Sequence, residues 1–178
     1  TGLKSWAVIM LLALWCYQPK AVARQAAVLT VFDVGQGLSI LIQTHSHAML
    51  YDTGEQSFYR DLQQNLLALG VRKLSLLMLS HHDQDHDGNW LNISRYWQVD
   101  KILAGQARVY VAQHNRPVLS CRAGQAWNWD GVHFELLTLP ADGNTSDNDR
   151  SCILRIIADG KAILLVGDLS SKGEAKLV

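Results

Sequence analysis

Beyond residue 24 the apolar residues fall in short runs separated by polar or glycine-bearing segments. Ala27 to Phe32, Leu38 to Gln43 and His47 to Tyr51 are rich in branched and aromatic residues and predict three successive strands. Phe58, Leu62, Leu66 and Leu69 then recur at three- and four-residue steps and Gly70 follows, which predicts a helix and its stop. Leu74 to Leu79 is a nearly continuous apolar run, as expected for a strand covered on both faces, and it empties into the polar cluster Ser80 to Asn89. A second helix is predicted from Asn89 to Trp97. Further strands are predicted at Lys101 to Leu103, Arg108 to Val111, Phe134 to Leu139, Cys152 to Ala158 and Ala162 to Val166. Strands first, then strands and helices in alternation, argue for an α+β fold with helices packed outside sheets. The polar stretch Pro140 to Arg150 reads as a long loop, of a length often tied to function.

The beginning of the chain has a different pattern. Trp6 to Tyr17 is an unbroken apolar run, short of the roughly 20 residues that a spanning helix needs. With Thr1 where a native chain starts with Met, the run reads as a transmembrane helix cut by a fragment boundary. A secretory signal, with Lys4 ahead and Ala21-Val22-Ala23 as cleavage site, is the second reading, and a buried helix the third. The first two place everything after Arg24 beside a membrane and on its far side. The expected division is residues 1–24 as truncated transmembrane helix and linker and 25–178 as one domain.

Composition narrows the class. Sixteen Lys plus Arg balance sixteen Asp plus Glu, which excludes a free-standing basic nucleic-acid binder, and 48% hydrophobic residues suffice to close a core. Cys121 and Cys152 either pair, where the compartment oxidises thiols, or remain two buried thiols; no C-x-x-C spacing offers a cysteine zinc site.

The chemistry concentrates in Ser80-His81-His82-Asp83-Gln84-Asp85-His86-Asp87-Gly88, where six of nine residues are His or Asp. They follow directly on a buried strand, a rigid support for ligating side chains. Imidazole and carboxylate are the usual ligands of zinc and similar divalent metals, and a loop serving only solubility has no need of the histidines.

His81-x-Asp83-x-Asp85-His86, after a strand and before Gly88 and a helix, resembles the metal-binding motif of the metallo-β-lactamase superfamily, in the variant with aspartate in place of the second histidine. "FDVGQG" at 32–37, "YDTG" at 51–54, "NDRSCILRI" at 148–156 and "ILLVGDL" at 163–169 agree in order. Together they resemble the C-terminal domain of the ComEC competence proteins, from about Val28 onward. The resemblance implies a metallo-β-lactamase-like αβ/βα sandwich, incomplete at its C-terminus. It also implies one or two divalent ions, zinc or manganese. His81 and Asp83 would serve one metal position, Asp85 and His86 the other, with Asp168 bridging. Asp33 and Asp52 are expected to orient a ligating imidazole or hold a loop. Two departures stand out. Asn148-Asp149-Arg150-Ser151 replaces a superfamily metal-binding histidine, and the family's further His-His-Gly-Ser motif would lie past Val178. Asn89 stands where the family often has a second glycine.

The function implied is a phosphodiesterase or nuclease of a DNA-uptake channel in natural transformation, at the inner membrane on its extracytoplasmic side. It would degrade the single strand that is not transported, in company with other uptake components. Asp85 would position the attacking water, and Asn148 and Ser151 would contact the phosphate. The rivals are a non-catalytic docking or DNA-guiding module and a metallo-hydrolase of small esters. Trp127 and Trp129 are expected to pack in the core or an edge, with stacking on bases as the alternative; His114 and His133 are expected to be structural.

Overall fold

Alternation along the first strands sorts their side chains onto two covered faces. In the computed structural model, which describes Trp6 and residues 21–111, 116–142 and 144–177, these strands are β1 (Val28–Val31), β2 (Ile40–Gln43) and β3 (Ala48–Tyr51). The proposed transmembrane run, apart from Trp6, and His114 lie outside the described residues. After α1 (Tyr59–Ala68) come β4 (Lys73–Leu74), β5 (Leu76–Leu79), α2 (Gln84–Asp87), α3 (Trp90–Tyr96), β6 (Gln98–Val99), β7 (Ile102–Ala104), α4 (Ala107–Val111) and β8 (Val118–Ser120). The order β1-β2-β3-β5-β7-β8 forms a six-stranded sheet, antiparallel at β1 to β3 and parallel from β3 onward. A second, four-stranded antiparallel sheet runs β12-β11-β10-β9, from β9 (Ala126–Trp129), β10 (Val132–Leu136), β11 (Leu154–Ala158) and β12 (Lys161–Leu165). The one-turn helix α5 (Ser171–Glu174) follows.

Two cores result. Leu41, Leu50, Leu77 and Leu79 face the helices and meet Leu62 and Leu66 of α1, Trp90 and Ile93 of α3 and Tyr110 of α4. Ile40, Ile42, Met49 and Met78 face the other way and pack on Phe134, Leu136, Leu154 and Ile156 of the second sheet. β5 is apolar throughout because both of its faces are covered, and all four of its residues are buried. Cys121 and Cys152 form a disulfide with Cα atoms 5.7 Å apart, tying the end of β8 to the segment entering β11 and so one sheet to the other.

Arg108 to Val111 is not a strand but the helix α4. Four residues of Arg-Val-Tyr-Val show no decisive period, and tertiary contact decides: Ala107 and Tyr110, one turn apart, both point inward, with the Tyr110 ring edge-on to Trp90. β8 and β9 were not expected from the pattern. The two hairpins of the second sheet turn on Asp130-Gly131 and Asp159-Gly160, all four residues at positive φ, the two-residue geometry that Asp-Gly favours.

Asp130 does more than turn. Its Oδ2 accepts hydrogen bonds from Thr44 Oγ1 and the Ser46 amide, both at 2.7 Å, and pairs with His47 Nδ1 at 3.1 Å, which fastens the β9–β10 hairpin to the β2–β3 loop. The hydrogen bond from Thr44, with those from His47 and Ser46, holds its carboxyl far below the ordinary value. Its stabilising contribution is therefore present above the unfolded-state pKa of about 3.9 and lost as pH falls below it. Asp130→Asn, which tolerates the same backbone, is expected to cost about 1 to 2 kcal/mol at pH 7 and to flatten the decline of stability under acid. Urea midpoints from pH 7 down to pH 3 check both.

Candidate metal centre

The parallel strands end at one edge of the sandwich, and the polar groups collect there, as ligand sites do in sheets of this kind. β5 leads into Ser80 and His81; α2 supplies His86; β12 leads through Val166 and Gly167 to Asp168. One ligand atom each from His81, His86 and Asp168 lies within 4.8 Å of the others. The two histidines are buried, whereas the Asp168 side chain is half exposed and opens the group to solvent.

Asp52 organises the histidines. It follows β3 with φ of 58°, a left-handed conformation costly for a residue with a Cβ, and so turns its carboxylate inward. Oδ1 accepts the Ser80 amide at 2.6 Å, and Oδ2 accepts the Ser80 hydroxyl at 2.7 Å and His86 Nδ1 at 2.9 Å. Because the Ser80 hydroxyl spends its one proton on Asp52, in its 2.9 Å contact with His81 Nδ1 it must accept. Both imidazoles thus carry a proton on Nδ1 and direct Nε2 inward. His86 Nε2 faces Asp168 Oδ1 at 3.2 Å, and His81 Nε2 is buried with no hydrogen-bond partner. A buried ring nitrogen with a free lone pair, beside a second imidazole and a carboxylate, is the donor set of a divalent cation, and these residues fit one.

The electrostatics are those of a crowded site. Burial pushes the Asp52 carboxyl up despite the hydrogen bonds from His86 and Ser80 that favour its charge. Burial and the neighbouring His86 hold His81 below the ordinary histidine value. Burial opposes charge on His86 as well, but there Asp52, then Asp168 and Asp85, prevail and hold it above that value.

The other expected residues lie outside this three-residue group. Asp83 caps α2, its Oδ1 accepting the Gln84 amide at 2.7 Å. Asp85 stands in the first turn of α2, where its backbone carbonyl accepts the Leu38 amide at 3.2 Å. Asp33 accepts the Gly35 amide within its own turn. Asn148 lies in a short 3₁₀ turn (Asn148–Arg150), and the buried Ser151 donates to the Asn148 carbonyl at 2.6 Å. Ser151 also lies against Gly167, just before Asp168.

Sequence reasoning missed four contributors, Ser80, Asp87, Tyr110 and Asn89. Ser80 relays between His81 and Asp52. Asp87 is buried and accepts the Tyr110 hydroxyl at 2.7 Å while holding His82 Nδ1, so His82 turns away from the cluster. Burial, with Asp87 adjacent, pushes the Tyr110 phenol far up. Asn89 is buried, and its side-chain amide donates to the carbonyls of Thr53 at 3.0 Å and Glu55 at 2.7 Å, stitching the start of α3 to the turn that carries Asp52. Asp87 was in view within the polar run, but nothing in the sequence pointed to Tyr110.

A family profile of the metallo-beta-lactamase superfamily matches residues 32–178. The chain belongs to that superfamily. Competence protein ComA of Neisseria gonorrhoeae is 43% identical over 178 residues, 99% of this chain and 25% of that protein. Recombination protein 2 of Haemophilus influenzae is 33% identical over 147 residues, 80% of this chain and 18% of that protein. The chain thus spans a quarter or less of the length of these curated relatives. Among solved structures, a Cronobacter sakazakii metallo-beta-lactamase mutated in its HARLDQ motif superposes with a TM-score of 0.61 at 21% identity, over 88% of this chain and 66% of that one, which shows the fold.

Within this metallo-beta-lactamase domain Asp52→Asn is expected to lower affinity for zinc about 10- to 100-fold, because the His86 ring loses the carboxylate that sets its proton and orientation. Competition against a zinc-binding dye, with circular dichroism confirming the fold, measures it. Unchanged affinity would contradict the role assigned to Asp52.

Proposed function

We propose that this chain is the metal-dependent phosphodiesterase part of a DNA-uptake protein of natural transformation, acting on the single strand that is not transported. The observation that carries the reading is the convergence of His81, His86 and Asp168, one ligand atom from each lying within 4.8 Å of the others. Support for DNA as the substrate is the similarity to Competence protein ComA. When bound there, a divalent cation, zinc or manganese, supplies Lewis acidity that lowers the pKa of a water to as little as about 7 and offsets charge on phosphoryl oxygens.

The protein's own groups do the rest. His81, His86 and Asp168 hold the ion, or the first of two. Asp83 and Asp85, at the start of α2 and outside that three-residue group, would contribute to a second metal position, and Asp85 would orient the attacking water. Asn148 presents its side-chain amide to the phosphate, and Ser151, buried with its hydroxyl donated to the Asn148 carbonyl, holds that turn beside Gly167. Asp52 and Ser80 keep the imidazole protons on the far side of both rings.

The disulfide supports placement on the extracytoplasmic side of the inner membrane, since such bonds persist where thiols are oxidised. The segment ahead of residue 21 would then be the membrane attachment. Among the described residues no helix is long and apolar enough to cross a membrane.

The test is incubation of the protein with labelled single-stranded DNA and manganese or zinc. Cleavage is expected, lost on chelation and reduced at least about a hundredfold in Asp85→Ala. No cleavage in a metal-loaded protein contradicts the reading, and full cleavage by Asp85→Ala removes Asp85 from it.

A further inference from the structure

Two adjoining cavities open at the end of the sandwich away from the metal centre. One, of about 340 Å³, lies where β5 and β7 begin beside β9, and Trp127, Trp129 and Lys101 line it. The other, of about 640 Å³, shares Lys101 and Trp129 with the first and adds Arg72 and His47. The two form one groove. Ser75 lines both and precedes β5, while Ser80 follows β5 into the metal centre, so groove and centre lie about 16 Å apart along that strand.

The groove has two chemistries side by side. Trp127 stacks on Phe134 with the planes 3° apart, and Trp129 stacks on His47 with the planes 3° apart, so the indoles are fixed in place while they line the cavity. The Trp127 indole N–H is buried without a hydrogen-bond partner. Beside the rings are cations. Lys73 is paired with Asp100 at 2.7 Å, but Lys101 and Arg72 are exposed and have no acidic partner among the described residues.

Rigid indoles lining a groove call for a planar ring to stack on, and unpaired cations call for an anion; rings joined by anions are a single-stranded nucleic acid. We propose that this groove is a second binding site for one nucleic-acid strand, separate from the metal centre. The choice of DNA rather than RNA as the probe rests on the function proposed above; the groove's chemistry does not require hydrolysis.

The test uses fluorescein-labelled oligothymidylate and the whole chain, with chelator present so that no cleavage occurs. Binding is expected, with quenching of tryptophan fluorescence. Arg72→Ala with Lys101→Ala, both surface changes, is expected to weaken it at least about tenfold and to lower the salt dependence by about one unit per cation removed. Trp129→Ala is expected to weaken it about tenfold, with Trp129→Phe retaining most of the affinity, and an abasic oligomer should bind less well than oligothymidylate. Affinity unchanged in the double variant would overturn the proposal. So would binding of phosphatidylglycerol vesicles through Arg72 and Lys101 with no binding of the oligonucleotide, which would make the groove a lipid-headgroup site. Failure of the unmodified chain to bind, with its cleavage intact, sinks the groove alone, and binding by the unmodified chain without cleavage sinks only the hydrolytic reading.

Discussion

Gly37→Ala is expected to destabilise the protein by about 3 kcal/mol and to abolish metal binding with it. Gly37 has φ of 101°, outside the range that side chains accept, and a Cβ there would drive into the Asp85 carbonyl and come within 2.7 Å of the Asp85 Cβ. Both obstacles belong to the turn that carries the site, so relief requires the 33–37 segment and α2 to part, and His86 moves with α2. The neighbouring bond from the Leu38 amide to the Asp85 carbonyl at 3.2 Å would be lost in the same movement. A urea melt and a zinc titration of the variant measure the two effects. A wild-type midpoint would show that the 32–37 segment does not press on α2 as described.

Breaking the disulfide is expected to cost a comparable amount. Cys121 and Cys152 are 31 residues apart, and closure of a loop of that length restricts the unfolded chain by about 3 to 4 kcal/mol in the chain-entropy account. The effect should be read as a drop in the denaturant midpoint on reduction, matched by Cys121→Ser with Cys152→Ser and absent when that double variant is itself reduced. The metal centre should survive in the folded fraction. Ser80 stays fixed by its carbonyl to the Cys152 amide at 2.8 Å, and Tyr51 by its hydroxyl to the Cys152 carbonyl at 2.7 Å. A midpoint insensitive to reductant would mean that the sheets are held together without the bond.

In the first sheet β1 to β3, β5 and β7 were legible because they are framed by strong punctuation and, in β5, by an apolar run too continuous for a half-exposed strand; β8, with only Val118 buried, carries no such pattern. The second sheet was harder. β9 reads Ala-Trp-Asn-Trp, with its indoles only partly buried, and its one clear signal is the Asp130-Gly131 turn that follows it. α4 was misread because four residues cannot show a period and Tyr110 is placed by its contacts with Trp90 and Asp87.

At the site, the run of His and Asp announced a metal centre but could not divide the labour within it. Spacing alone gives Asp83, Asp85 and Asp87 equal standing. The structure gives them different tasks: Asp83 caps a helix, Asp85 faces the 32–37 segment, and Asp87 is buried against Tyr110. Asp52 becomes central only through a backbone turn that composition does not reveal, and Asp168 reaches His86 only because two separate sheets end at the same edge.

The most direct measurement is metal content and affinity of the purified protein, alone and as the His81→Ala, His86→Ala and Asp168→Ala variants. Stoichiometric zinc or manganese in the parent, with affinity falling at least about a hundredfold in each folded variant, is the result expected of three convergent ligands. A parent that binds no divalent metal, or variants that bind it as well as the parent, would contradict the metal centre itself.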